Sequence, residues 1–408
     1  MKKIALIGLR YDFNTGDPLL FYCTEWMLKK LCDNELEIVH LDFFARSGYP
    51  AVPENRPDIL KSVAKAVLKI IPTKLWLGKY QKVKEQQTTD ELAGIRNYYE
   101  QNLKDVDLII IIGAGSLQYN LRLDFSLYYE AIVKVAKKNN IPCVISCIGV
   151  ESKYDAEDER CIRFSNTLSD DIVKIITTRD DIDELRNYVK NPNTDIAKTA
   201  DIAVWAAETF DIQKDEKSDL IGIGVIIHSR FAEYQTGISR EEYEQALKDV
   251  IERLEQNNEK WVMFNNGHFE DAEYAEYLCK MLGKDPKKYL LKAPKSPEEL
   301  VKTISGFKGI ITSRLHSCIS AYSLNIPFVA ISWNNKLEFF ANSIGCADRI
   351  IKKDRLSGDV IVDAFYDAMK DGYNQSDRDE YRNTVVEYFK KYLEVTDTGN
   401  AIYPRKDF

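Results

Sequence analysis

The chain has 408 residues, of which 45% are hydrophobic and 29% are charged, an ordinary composition for a globular protein of two or three domains. Its 56 Lys and Arg residues against 64 Asp and Glu residues give a formal net charge of −8, which argues against general binding to nucleic acid. No apolar run has the length that a membrane span needs. Eight scattered cysteines without paired spacing predict buried free thiols in a reducing cytosol and no metal site, so we expect a cytoplasmic protein.

The first half of the chain alternates short apolar runs with amphipathic helical segments, which is typical of an α/β protein with a parallel sheet. The N-terminal run is too short for a signal peptide and lacks a small-residue cleavage site, so it predicts the first strand. The runs are rich in Val and Ile and scarcely alternate, as expected for strands covered on both faces. The predicted strands of this half are KIALIGL, LEIVHLD, DLIIIIG, PCVISCIG and VKIITT.

A polar segment, Phe210–Asp219, separates this half from a second series of predicted strands. That series consists of LIGIGVIIHS, KWVMFNN, YLLKA, GIITS and PFVAISW. The sequence therefore predicts the α/β fold class, with two doubly wound Rossmann-like domains over residues 1–209 and 210–372 and a ligand cleft between them. Residues 373–408 contain an amphipathic segment, which we interpret as a helical tail that packs back on the first domain.

One lysine-rich segment, residues 61–84, contains no acidic residue inside an otherwise acidic protein. Its apolar residues follow helical spacing until Pro72 interrupts the pattern. The favoured interpretation is a helical insertion on the surface of the N-terminal domain. The alternative is a basic amphipathic element that contacts an anionic membrane surface peripherally, or a lipid-linked acceptor.

Ligands of open α/β sheets bind beyond the carboxyl ends of the strands, and four such ends carry unusual residues. The first, LRYDFNTGDP, suggests Asp17 as an N-cap before Pro18, with ligand contact as the alternative, and leaves Asn14 as the better ligand candidate. The second, GAGSLQ, carries Gly115 and Ser116. Its glycines allow close approach of a ligand and the amides of the next helix would favour an anion, with a simple tight turn as an equal alternative.

The third end, TTRDD, places Arg179 before a helix whose first turn suits acids rather than an arginine; a local ion pair is the alternative. The fourth end, GIITSRLHSCISAYSLNIP, begins as a strand and continues as a helix for which Ser313 is the predicted N-cap. Arg314 and His316 then lie on the first turn, where cations are disfavoured unless an anion binds. This placement predicts a phosphate or carboxylate site, against the alternative of a salt bridge from Arg314 to an acid of the other domain together with a hydrogen-bonded, structural His316.

Three further residues are candidates for the cleft. His228 and His268 lie at strand ends of the second domain, and each is equally well explained as a hydrogen-bonding loop residue. Lys336 follows the strand PFVAISW and would add a positive charge, with an exposed loop lysine as the alternative.

The ordered set NTGD, GAGSLQ, TTRDD, TSRLHS and ISWNNKLEFFANSIG resembles the polysaccharide pyruvyl transferase family over about residues 3–349, and TSRLHS is its most specific element. Two runs depart from the family pattern: Asn325 occupies a glycine position, and SCIGVES at residues 146–152 replaces a GQGVGP-like run. The resemblance implies a GT-B-like pair of Rossmann-like domains. It also implies a transferase of cell-surface polysaccharide synthesis that joins the pyruvyl unit of phosphoenolpyruvate to two sugar hydroxyls as a cyclic ketal.

Residue by residue, the family's arginine of the RD element falls on Arg179. The arginine and the histidine of its RLH element fall on Arg314 and His316. The resemblance implies that both arginines bind the donor's anionic groups, beside Ser313 and Lys336, and that His316 is the general acid and base. Phosphoenolpyruvate would be the co-substrate, without a further cofactor, and the acceptor a glycan or lipid-linked sugar. Two alternatives remain: a GT-B glycosyltransferase with a nucleotide-sugar donor, and a non-catalytic relative that binds sugars or anions.

Overall fold

The computed structural model describes residues 2–32, 36–49, 93–119, 124–228, 233 and 235–396. The basic segment 61–84, with both of its interpretations, lies outside these residues. No helix among the described residues is long and apolar enough to cross a membrane. All eight cysteines are buried free thiols.

The predicted strands of the first half form one parallel sheet, whose strand order is β2-β1-β3-β4-β5-β6. The run Leu108–Ile112 shows why: all five of its side chains are buried, because both faces of the sheet are covered. The short, half-exposed edge strand at Asp195–Lys198 was not predicted, since its polar sequence DIAK carries no strand pattern. The bounds are β1 Lys2–Gly8, β2 Leu36–Asp42, β3 Leu108–Ile112, β4 Cys143–Ile148, β5 Val173–Thr178 and β6 Asp195–Lys198.

The second half forms another parallel sheet, of strand order β11-β10-β9-β7-β8. The prediction of a strand at YLLKA was wrong, because only Leu290 forms an isolated bridge there, to Met263. The two-residue strand Ile350–Ile351 was missed, being too short to show a pattern. The bounds are β7 Leu220–Gly224, β8 Lys260–Phe264, β9 Gly309–Thr312, β10 Phe328–Ile331 and β11 Ile350–Ile351.

The helices connect the parallel strands, and many begin at a side-chain cap that the sequence supplies. Asp181 accepts hydrogen bonds from the amides of Asp183 and Glu184, and Ser239 and Glu242 form a capping box. Residues 93–102 are also helical. The bounds are α1 Gly16–Leu31, α2 Ser126–Lys138, α3 Glu159–Leu168, α4 Ile182–Tyr188, α5 Ala206–Phe210, α6 Arg240–Gln256, α7 Phe269–Met281, α8 Pro286–Tyr289, α9 Pro297–Ser305, α10 Leu315–Ser323, α11 Asn335–Ser343, α12 Gly358–Asp371 and α13 Gln375–Glu394.

One hydrophobic core runs through both sheets. It joins side chains of the first sheet, such as Leu6 and Ile110, to side chains of the second, such as Ile310 and Phe328, through the helices between them. The outer faces of the two sheets have separate cores. The shared core fixes the two carboxyl edges relative to each other, and therefore fixes the cleft between them.

The helix predicted in the tail, α13, lies against the first sheet and its neighbours. The Tyr392 hydroxyl is 2.7 Å from Thr177 Oγ1 at the end of β5, and Trp205 Nε1 donates to the carbonyl of Arg382. Phe389 of this helix is fully buried in the shared core. The chain thus returns from the second sheet to close the first.

Both sheets have a topological switch point, the place beside which such folds bind ligands. In the first sheet β1 lies between β2 and β3, and in the second β7 lies between β8 and β9. The loops that follow β1, β3 and β9 are three of the four strand ends that the sequence marks as unusual.

Replacing Phe389 by alanine tests the role of the tail helix. We expect Phe389→Ala to lower the free energy of unfolding by about 3–5 kcal/mol, since it leaves a cavity in the shared core. The exposed Glu387 of the same helix is the control, and Glu387→Ala should change that free energy by less than about 0.5 kcal/mol. Equal, small effects in urea unfolding would show that the helix does not contribute to the core.

Candidate functional site

A cavity of about 290 Å³ opens between the carboxyl edges of the two sheets. Loops after β1, β2, β3 and β5 form one side of it, and loops after β8, β9 and β10 form the other. The cavity brings together most of the predicted site residues. It is lined by Leu9, Asp12, Asn14, Asp17, Phe44, Gly115, Gln118, Phe125, Arg179, Asn266, Arg314, Leu315, His316, Trp333 and Lys336.

Helix α1 begins at the cavity, two residues earlier than the sequence suggested. Its N-cap is Thr15 and not Asp17, which lies inside the first turn and accepts a hydrogen bond of 3.0 Å from Asn14 Nδ2. Packing requires a glycine at position 16, because a Cβ atom on Gly16 would collide with the His316 ring of the second half. The start of α1 therefore lies directly against the RLH segment.

Asp17 is half-buried in the wall of the cavity beside Asp12. Its burial, and then the charge of Asp12, raise the pKa of Asp17 to about 6, although Lys336 and Arg179 lower it. A carboxyl group with such a pKa exchanges protons near neutral pH. Asp180, buried nearby, also has its pKa raised to about 6 by burial.

Arg179 is buried and joins the two halves of the site. Its Nη1 donates to Asp201 Oδ2 and lies 3.3 Å from His316 Nε2, while its Nε is 3.8 Å from Asp180 Oδ1. Burial alone would lower the pKa of Arg179, but Asp201 and Asp180 outweigh it and raise that pKa. The local ion pair that was the alternative is therefore present, to Asp180, but it is buried rather than exposed, and Arg179 has a second buried partner in Asp201.

His316 is buried at the same place and is neutral. Its pKa is lowered to about 3, chiefly by burial and also by the charges of Arg179 and Lys336, against the opposing effect of Asp201. Since a guanidinium only donates, His316 Nε2 accepts from Arg179 and the ring proton lies on Nδ1. Because His316 is uncharged, it is not an unfavourable cation at the N-terminus of α10.

Arg314, the second potential cation at this helix start, is paired with a carboxylate. Its Nε and Nη2 donate to Oδ2 of Asp271, at 2.9 Å for Nε, and Asp271 is fully buried at the start of α7. The sequence suggested a partner in the other domain as the alternative, whereas Asp271 belongs to the same half. Arg314 is itself the N-cap of α10. Ser313, the predicted N-cap, is buried with its hydroxyl 3.4 Å from that of Tyr243, outside the cavity lining.

Lys336 lies in the first turn of α11, whose N-cap Asn334 accepts from the Lys336 amide at 3.2 Å. Its ammonium forms an ion pair with Glu151 Oε1, on the loop after β4. This pair crosses the cleft. The N-terminal turns of α1, α10 and α11 thus all contribute lining residues to one cavity, and helix N-termini favour anions.

Asn266, which the sequence reasoning missed beside His268, connects the two halves. Its carbonyl accepts from both the amide and the hydroxyl of Thr15 at 2.9 Å, and its Oδ1 accepts from Ser317 Oγ. Its Nδ2 is buried and, within the described part of the chain, has no hydrogen-bond partner; the same holds for Arg179 Nε. Both donors belong to residues that line the cavity, and Arg179 Nε lies 3.8 Å from Asp180 Oδ1.

The loop GAGSLQ differs from the expectation. Among the described residues, the next helix after this loop is α2, which begins only at Ser126. Gly115 lines the cavity, and a Cβ there would collide with Glu151 and Lys336. Ser116 is buried and turned away, donating to the carbonyl of Gly113 and lying 2.6 Å from the Tyr129 hydroxyl.

The two weaker histidine candidates lie outside the cavity lining. His228 is buried with its ring centroid 5.2 Å from that of Tyr243, and burial lowers its pKa. His268 is the N-cap residue of α7, with its ring centroid 4.8 Å from that of Phe269. Across the described ranges, no group of three or more His, Cys, Asp or Glu side chains has the arrangement of a metal site.

The raised pKa of Asp17 predicts a pH-dependent stability. Because its folded-state pKa exceeds the value of an exposed Asp, ionised Asp17 destabilises the fold above about pH 6 and has no such effect below about pH 4. We expect Asp17→Asn to raise the free energy of unfolding by about 1–3 kcal/mol at about pH 7.5, with the gain vanishing near pH 4. The exposed Asp183, in the first turn of α4, is the control, and Asp183→Asn should give no such gain. A gain independent of pH would contradict the assigned pKa.

The family model described as polysaccharide pyruvyl transferase matches residues 14–335 of the chain. No curated protein matches this chain significantly. Among solved structures, it is similar to S. aureus MnaA in complex with UDP, at 15% identity and a TM-score of 0.58 over 100% of both chains. It is also similar to a UDP-GlcNAc 2-epimerase from Neisseria meningitidis bound to UDP-GlcNAc, at 13% identity and a TM-score of 0.55 over 97% of this chain and 100% of the other.

A putative UDP-N-acetylglucosamine 2-epimerase from Listeria monocytogenes is similar as well, at 11% identity and a TM-score of 0.58 over 100% of both chains. At such identities the structures share the fold, which is the predicted pair of Rossmann-like domains of the GT-B type. The family match covers most of the chain and includes the site loops from Asn14 to Asn335. The chain belongs to the polysaccharide pyruvyl transferase family and is a transferase.

Proposed function

We propose that this protein transfers the pyruvyl group of phosphoenolpyruvate to two hydroxyls of a sugar and releases phosphate. One observation carries the proposal: among the residues that the structure describes, two buried donors without a hydrogen-bond partner, Arg179 Nε and Asn266 Nδ2, belong to residues of a cavity to which three helix N-terminal turns contribute. Buried donors without acceptors are costly, and an anionic ligand supplies the acceptors. The family membership supplies the class of reaction, a transfer to a polysaccharide.

The charges of the cavity suit a small ligand with two anionic groups. Arg179, Arg314 and Lys336 line one volume of about 290 Å³, each held by a carboxylate. Phosphoenolpyruvate carries a phosphate and a carboxylate, and a planar guanidinium binds either through two hydrogen bonds. In the proposal, Arg179 and Lys336 hold one group and Arg314 the other, with the Asn266 amide and the N-terminal turn of α10 beside them.

The proton chemistry favours Asp17 over His316 as the acid. Ketal formation needs a proton on the methylene carbon of the donor, and a group of pKa about 6 holds and releases one readily. His316 is neutral, and its Nε2 accepts from Arg179, so it holds the guanidinium in place. This assignment moves the general-acid role from His316, where the resemblance suggested it, to a residue that the sequence favoured as a helix cap.

The step balances without a further reactant. The methylene carbon gains one proton, one hydroxyl oxygen bonds to the neighbouring carbon, the bond to the phosphate oxygen breaks, and the second hydroxyl oxygen bonds to the same carbon. The two hydroxyl protons end on the new methyl group and on the released phosphate. The acceptor is therefore a sugar with two hydroxyls close enough to close one ring, on a glycan or a lipid-linked precursor in the cytoplasm.

Ligand binding and phosphate release test the donor. Phosphoenolpyruvate should raise the unfolding temperature, since it binds the native state selectively, and nucleotide sugars at the same concentration should not. With a library of sugar acceptors, we expect phosphate release and a product whose mass corresponds to a pyruvate ketal. Stabilisation by a nucleotide sugar alone would support the glycosyltransferase alternative, and the absence of turnover with every acceptor would support a non-catalytic relative.

Variants divide the proposed roles. Arg179→Lys should weaken phosphoenolpyruvate binding at least about tenfold, because an ammonium cannot reproduce the guanidinium's contacts. Asp17→Asn should bind the donor yet lose about 10²–10⁴-fold in kcat. Arg253→Lys, on a surface arginine paired with Asp363, is the matched control and should change neither quantity. Full turnover by Asp17→Asn would exclude it as the acid.

A further inference from the structure

A second, smaller cavity of about 120 Å³ lies beside the first, and Lys336 lines both. Its lining is mostly polar and includes Ser152, Asp181, Gln235 and Asn334, with Phe339 as an apolar surface. This mixture of hydroxyl, carboxylate and amide groups with one aromatic side chain suits a neutral polyol such as a sugar rather than an anion.

The ion pair of Lys336 with Glu151 separates the two cavities. Glu151 lines the second cavity, and its side chain also covers Gly115 in the wall of the first. The two side chains are only 22% and 16% exposed. A Cβ at Gly115 would collide with both ends of the pair, so the backbone of GAGSLQ is shaped to accommodate it. The pair also joins the loop after β4 to α11, across the cleft.

We propose that this ion pair exchanges partners during the reaction: the donor anion takes Lys336, and the released Glu151 accepts the proton of an acceptor hydroxyl in the second cavity. The proposal rests on the proposed function and adds the acceptor subsite and its base. Lys336 has one ammonium and two competing anionic partners, Glu151 and the ligand. A stronger interaction with the donor therefore weakens the pair, and the carboxylate turns from the wall into the second cavity.

The exchange couples the order of binding to the chemistry. Before donor binding, the ion pair with Lys336 holds the Glu151 carboxylate between the two cavities. After donor binding, its carboxylate takes the proton of the first hydroxyl while that oxygen bonds to the donor carbon, and Asp17 gives a proton to the methylene carbon. Two protons then remain, one on Glu151 and one from the second hydroxyl. One of them returns to Asp17, and the other leaves with the phosphate. No other oxidant, reductant or co-reactant is needed.

The variant Glu151→Gln tests the exchange, because it keeps the shape of the side chain and removes its charge. We expect phosphoenolpyruvate, and inorganic phosphate as a second probe, to bind the variant about two- to fivefold more tightly, since they no longer compete for Lys336. At the same time kcat should fall by about 10²-fold or more, through loss of the base. Glu338→Gln is the matched control: Glu338 lies on the same helix α11 and pairs with Lys352, and its loss should change neither quantity.

A double substitution shows whether the effect passes through Lys336. In a Lys336→Gln background, Glu151→Gln should no longer tighten anion binding. Unchanged phosphate affinity in Glu151→Gln, or unchanged kcat with tighter binding, would overturn the proposal. Failure of the proposed function gives a different result: the wild-type protein would not turn over phosphoenolpyruvate at all, while the effect of Glu151→Gln on phosphate affinity would still report on the exchange.

Discussion

The site depends on one constraint: cations are concentrated between two sheets where water cannot solvate them fully. Arg179, Arg314 and Lys336 line one cavity, and each pairs with at least one carboxylate: Arg179 with Asp201 and Asp180, Arg314 with Asp271, and Lys336 with Glu151. The pair of Arg179 with Asp201 is buried, so separating it would leave an uncompensated charge in the interior. The shared core that holds the two sheets together keeps these charges at their distances, and the cavity follows from both.

The same concentration of charge explains the unusual proton affinities. Burial raises the pKa of Asp17 and of Asp180 and lowers that of His316, because each charged form is poorly solvated. Such groups reduce stability in the free protein and become useful when an anion enters. In the proposed function, a ligand of two negative groups gives acceptors to Arg179 Nε and Asn266 Nδ2 and favours the protonated form of Asp17. The cost in stability and the proposed acid catalysis would then have one physical origin.

The sequence predicted the fold well because strands buried on both faces have a strong signal, as in Leu108–Ile112, and polar or two-residue strands such as Asp195–Lys198 and Ile350–Ile351 have none. It also predicted that Arg179, Arg314 and His316 lie at one cleft, because basic residues are unfavourable at the starts of helices unless they have a local role. It could not predict their partners, since Asp201, Asp271 and Asn266 resemble ordinary caps and loop residues until the chain folds. Glu151 lies in SCIGVES, the run that departs from the family pattern, and this departure was its one signal.

The central claim is that an anionic ligand binds among the cations of this cavity, beside Asp17, and counting protons on binding tests it most directly. Calorimetric titration with phosphoenolpyruvate near pH 7, in buffers of different ionisation enthalpy, gives the number of protons taken up. Because a bound anion raises the pKa of Asp17 further above about 6, wild-type protein should take up a substantial fraction of a proton, and Asp17→Asn distinctly less. Equal uptake by the two proteins, or proton release on binding, would contradict the account.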